Sequence, residues 1–227
     1  MNGKIIKDIR VYKSDKQNEY GIPSLHSFGD KKLNAIIHRI VMKLRENSFS
    51  FGDFDHLYIV FTTVDIKEER CLSEIIDKYH PWYRYCFVRI NDSLYKSIGK
   101  SHTYDYLIET ITKVLIEKFC NSDFNVSLVR ECVKQAVEQG ENMLMKYKEK
   151  VTSKRKVIIY LRYLDSSGYY PLLRVFDLSG NLLFEKDLPQ NSTLDEIGEI
   201  QLSLNKVTIK PRKNAFTSDM KMMIFEY

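Results

Sequence analysis

The chain has 227 residues, 44% of them hydrophobic and 12% aromatic, with 35 Lys and Arg against 30 Asp and Glu for a formal net charge of +5. That much apolar and aromatic side chain excludes a disordered protein, and nine Gly and five Pro exclude a fibrous or linker protein. No apolar run reaches the ~18 residues of a membrane span. The opening MNGKIIKDIRVYK is charged throughout and has no apolar core like that of a secretory signal.

Residues 4–12 read as a short strand, with Ile5, Ile9 and Val11 on one side. Residues 31–46 carry Leu33, Ile36, Ile37, Ile40, Val41 and Leu44 at the spacing of one buried helical face, and Asp30 is a suitable N-cap. The run 57–63, LYIVFTT, is apolar on both faces, as a central strand would be. A second helix is predicted over about 70–79, with Leu72, Ile75, Ile76 and Tyr79 inward. The aromatic and β-branched run 83–90 is a third strand. Two more helices follow, over about 103–119 and about 127–149, and Gly140 weakens the second.

After residue 154 the pattern changes to strands alone: 156–164, 172–178, 182–188, 199–204, 206–210 and 221–227. Ser179-Gly180-Asn181 is a hairpin signal, because Gly and Asn tolerate positive φ. The expected fold is therefore α+β. Residues 1–149 form a sheet flanked by helices, and residues 155–227 form an antiparallel β section packed on the first. The boundary is expected in the polar stretch Lys150–Lys154.

The charge is spread evenly, with three local departures. Basic residues gather over 146–156 and 206–213, and an acidic stretch with Asp187, Asp195, Glu196 and Glu199 lies between them. Cys71, Cys86, Cys120 and Cys132 form no CxxC pair. Reduced thiols and a cytoplasmic location are expected.

No complete catalytic signature is present. Gly99-Lys100-Ser101 sits between a strand and a helix, like a phosphate-binding loop. The glycine that such a loop needs five residues earlier is Leu94, and Leu94–Ile98 is too bulky to wrap a phosphate. Ser101 or Thr103 is expected to cap the next helix instead. His26, His38, His56, His80 and His102 lack the spacing of zinc ligands. Asp53 and Asp55 precede the central strand and Asp65 follows it, without the Glu-x-Lys phrase of metal-dependent nucleases; Glu185-Lys186 has no intervening residue. A non-enzyme without metal or cofactor is expected.

Aromatic residues are the positive signal. Trp82 and Tyr83, after Pro81, and Tyr169 and Tyr170, after Gly168, cluster at strand margins. Trp, Tyr and Arg dominate the energetics of protein interfaces, so these four are the candidate partner-binding residues. A cluster sealing one edge of the core is the alternative.

Phe54-Asp55-His56-Leu57-Tyr58-Ile59-Val60-Phe61-Thr62-Thr63 resembles a segment of some immunity proteins of bacterial polymorphic-toxin systems, and His80–Tyr85 is a weaker echo. The resemblance implies a protein that binds and neutralises a partner toxin and needs no active site. It assigns a role to no individual residue. Immunity proteins against basic nucleases are commonly acidic, whereas this chain is slightly basic. Either the toxin is of another kind or the acidic stretch 187–199 makes the contact. The leading expectation is a protein-binding module of this type. The alternative is a nucleic-acid-associated enzyme or binding protein that uses the two basic stretches.

Overall fold

The computed structural model describes residues 3–17, 23–190 and 193–227. The fold is α+β, as expected. It divides into two compact units, Met1–Gly140 and Glu141–Tyr227.

The first unit holds a five-stranded mixed sheet in the order β2-β1-β3-β5-β4. Its strands are β1 (Asp8–Ser14), β2 (His26–Ser27), β3 (His56–Thr62), β4 (Arg70–Leu72) and β5 (Tyr83–Arg89). β1, β3 and β5 run parallel, and β2 and β4 are antiparallel edges. β3, the run predicted to be central, is the middle strand. Ile9 and Val11, Leu57, Ile59 and Phe61, and Cys86 and Val88 share one buried face. The other face carries Tyr12, Tyr58, Tyr83, Tyr85 and Phe87 around buried Val60.

Helix α1 (Lys31–Glu46) buries the whole predicted stripe, and the Asp30 carboxylate accepts the Leu33 N–H at 2.9 Å. Ala35, Arg39 and Met42 are buried too, because α1 packs on both β1 and helix α4 (Asp123–Glu138). Helix α3 (Tyr104–Phe119) buries Leu107, Ile111, Val114 and Leu115 and lies against α4. At its end, Phe119 meets Phe51 at 4.6 Å between ring centroids and Phe54 at 5.9 Å.

Three sequence expectations in this unit are corrected. No helix forms over 70–79. Arg70–Leu72 is drawn into the sheet as β4, and Ile75, Ile76 and Tyr79 are exposed at 40%, 56% and 79%. Side chains capture the backbone there: Ser73 Oγ accepts from Ile75 N, and Asp77 Oδ1 accepts from Tyr79 N and His80 N. Pro81 disfavours helix at the residue before it. Ile5 is 45% exposed and lies outside β1, so it does not share the face of Ile9 and Val11. The third correction concerns the last helix, which starts earlier and stops far sooner than 149. Ser122 caps it, Gln139 ends it, and Gly140 follows at φ +52°, a left-handed terminator. A short helix α2 (Asp92–Ser97), unforeseen in the sequence, precedes α3.

The second unit is antiparallel throughout. One sheet joins β6 (Met145–Val151), β7 (Lys156–Leu164), β8 (Gly168–Phe176) and β9 (Leu182–Asp187) in that order. Another joins β10 (Ile200–Leu202), β11 (Lys206–Ile209) and β12 (Met223–Glu226). The predicted hairpin joins β8 to β9: Gly180 takes φ +89°, and the Asp177 carboxylate accepts bonds from Asn181 N and Nδ2. The chain divides at Gly140, not at 150–154, because residues 145–151 pair with β7 as a strand.

Candidate functional site

The parallel strands of the first unit bring several backbone entrances together. The segment before β1 is clamped to the segment before β3. Lys4 N donates to Gly52 O at 2.7 Å, Ile6 N to Phe49 O at 3.0 Å, and Lys7 N to Asp55 O at 2.8 Å. The entrance to β5 is tied in as well, since Trp82 O accepts from Asp55 N and His56 N at 3.0 and 3.1 Å.

A side chain absent from the sequence-based candidates fixes that turn. Arg84 is 7% exposed, and its guanidinium donates to Pro81 O at 3.0 Å and Tyr83 O at 2.8 Å. It also pairs with Asp53 at 2.8 Å and lies over the Phe54 ring at 5.3 Å. An arginine between Tyr83 and Tyr85 points to the opposite face of the strand from both. That alternation is the sequence signal that marks it.

These entrances enclose a cleft of about 780 Å³ lined by Lys4, Ile5, Lys7, Arg45, Asp55, His56 and Trp82. Asp55 is 4% exposed; its carboxylate takes the Lys7 ammonium at 2.7 Å and His56 Nδ1 at 2.5 Å. Burial works against the charge on Asp55, but the bonds from Lys7 and His56 prevail and hold its pKa below the usual carboxylate range. Among the described residues, no acceptor engages the side-chain nitrogens of Lys4 or Arg45. The cleft therefore carries three cationic side chains around one carboxylate.

The four predicted aromatic residues fall into different surroundings. Trp82 is 40% exposed on the cleft wall, with the His80 ring edge-on at 4.9 Å. Tyr83, its neighbour, is held in the aromatic face. It stacks on Tyr58 at 4.6 Å and meets Tyr85 at 5.3 Å, and its hydroxyl donates to Asp77 at 2.9 Å. Tyr169 and Tyr170 lie in β8 of the second unit. Tyr169 is edge-on to Tyr163 at 5.0 Å, the Arg162 guanidinium covers Tyr170 at 4.2 Å, and the Tyr170 hydroxyl donates to Asp187 at 3.2 Å. The two pairs belong to separate units, and of the four residues the cleft lining includes Trp82.

The other candidates are structural where the structure describes them. Gly99 turns at φ +90°, and its N–H donates to Thr103 Oγ1 at 3.0 Å while that hydroxyl donates to Lys100 O at 2.7 Å. The amide a phosphate would need is already committed. Thr103 ties this turn together rather than capping α3 with its side chain. The charged stretches of the second unit are paired in part: Glu149 with Lys146 and Lys156, Glu199 with Lys210, and Asp187 with Arg162. Among the described residues, no group of three or more His, Cys, Asp and Glu is placed to hold a metal ion, and no helix is long and apolar enough to cross a membrane. Comparisons of the chain with family models, curated proteins and solved structures give no match.

Proposed function

We propose that the protein is a non-enzymatic module that binds another protein, and that it acts as an immunity protein neutralising a partner toxin. The observation that carries this reading is Trp82. A large aromatic side chain stands 40% exposed on a turn that is rigidly pinned by Arg84, Asp55 and His56. Exposed aromatics on preorganised backbone are the usual anchors of protein interfaces, since little rotamer freedom is lost on binding. Ile5, on the same cleft, extends the apolar contact.

The test is co-expression with any toxin domain encoded beside this chain in its source genome, followed by calorimetry. A one-to-one complex is expected, and Trp82→Ala should weaken it about thirtyfold, the effect of losing an anchor worth about 2 kcal/mol. Unchanged affinity in a folded Trp82→Ala protein would remove the basis of this reading.

A further inference from the structure

The cleft beside Trp82 has a chemistry that goes beyond an apolar anchor. Its one carboxylate, Asp55, is already shared by Lys7 and His56. Lys4 and Arg45 approach from two other elements, the N-terminal segment and the last turn of α1, and neither has an acceptor among the described residues. A concave site with surplus positive charge and an aromatic wall selects an anionic group joined to an apolar one.

The backbone contributes little to an anion site here. Phosphate sites present free backbone N–H groups, usually from a turn or a helix start. Here the N–H groups of Lys4, Lys7, Asp55 and His56 all donate within the protein, to Gly52, Asp55 and Trp82 carbonyls. The charge that meets a ligand is therefore supplied by side-chain cations. An Arg fork and Lys ammonium groups accommodate either a carboxylate or a phosphate, and the aromatic wall favours the anion that brings an apolar neighbour with it, as an acidic side chain on a protein surface does.

Resting on the protein-binding reading above, we propose that the cleft receives an acidic side chain of the partner protein, held by Lys4, Lys7 and Arg45, with a neighbouring apolar side chain packed on Trp82. The partner surface is then acidic with embedded apolar residues. This fits a chain whose own net charge is +5, and it removes the need for the acidic stretch 187–199 to make the contact.

Trp82 is the single tryptophan, so its emission reports directly on the cleft. The probes are a short peptide of alternating Glu and Leu, the same peptide with Gln for Glu, inorganic phosphate, and a single-stranded RNA oligonucleotide. The Glu peptide should shift Trp82 emission saturably. The Lys4→Gln/Arg45→Gln double variant, which changes only exposed side chains, should melt like the parent and need about tenfold more peptide for the same shift. The Gln peptide and phosphate should leave the emission unchanged. Equal responses to Glu and Gln peptides, a saturable response to RNA or phosphate instead, or an unaltered double variant would overturn the assignment. The toxin separates the two levels of the claim. If it binds the parent and the double variant equally, the carboxylate assignment fails alone. If it does not bind the parent, the immunity reading fails while the peptide titration still decides the cleft.

Discussion

The two units carry the same kind of sequence signal, an adjacent pair of aromatic residues at a strand margin, and use it differently. Tyr169 and Tyr170 sit inside an antiparallel strand whose neighbours supply everything they need: Tyr163 for one ring, Arg162 and Asp187 for the other. Trp82 and Tyr83 stand where a turn enters a parallel strand, and only one of them is absorbed. Tyr83 joins the tyrosine stack, while Trp82 offers its backbone carbonyl to the fold and its ring to the cleft. An aromatic pair marks a binding surface only where local partners are too few to use it up. Cations left without acceptors beside Trp82 are the second mark of such a place, and the arginine beside Tyr170 has none of that freedom because Asp187 pairs with it.

Acid should separate the two units most strongly. All five histidines lie in the first unit, at positions 26, 38, 56, 80 and 102. Burial pushes the His38 imidazole down to about 4 from an ordinary value of 6.5. Between those values the unfolded chain binds a proton that the folded chain refuses. The stabilisation is therefore complete above pH 6.5 and is lost as the pH falls towards 4, by as much as roughly 3 kcal/mol. Denaturation followed by Trp82 emission should show this slope, and His38→Gln should flatten it. A slope unchanged in that variant would place the acid sensitivity elsewhere.

The adjacent aromatic residues give the next contrast. Tyr83→Ala removes the stack on Tyr58 and the bond to Asp77, and should cost about 2 kcal/mol of stability. Trp82→Ala should cost less than about 1 kcal/mol, because the carbonyl that accepts from Asp55 and His56 survives the change. Chemical denaturation followed by far-ultraviolet circular dichroism, which does not depend on the tryptophan, checks both. A larger loss for Trp82→Ala would make it a core seal instead of an anchor.

Much of this architecture is legible from local chemistry. The α1 stripe with its Asp30 cap, the apolar β3 run and the Gly180 hairpin each state their structure within a few residues. The failures share a cause in longer-range competition. Arg70–Leu72 belongs to a helical pattern in sequence, but β5 offers an open edge and takes it as a strand. Residues 145–149 read as a continued helix until β7 supplies a partner. The same holds at the site. Trp82 is visible as an aromatic residue after a proline. The cleft itself is assembled from positions 4, 7, 45, 55 and 82, whose meeting depends on the parallel register of β1, β3 and β5 and is written in no local motif.

The most direct measurement of the central claim is acrylamide quenching of Trp82, free and in complex with a toxin domain that the protein binds. In the free protein the quenching constant should be that of a partly exposed indole, in keeping with the 40% exposure of this residue. On complex formation it should fall severalfold, because an anchor at the centre of an interface is shielded from solvent. A stable complex in which Trp82 is quenched as readily as in the free protein would contradict the account and move the partner-binding surface away from this cleft.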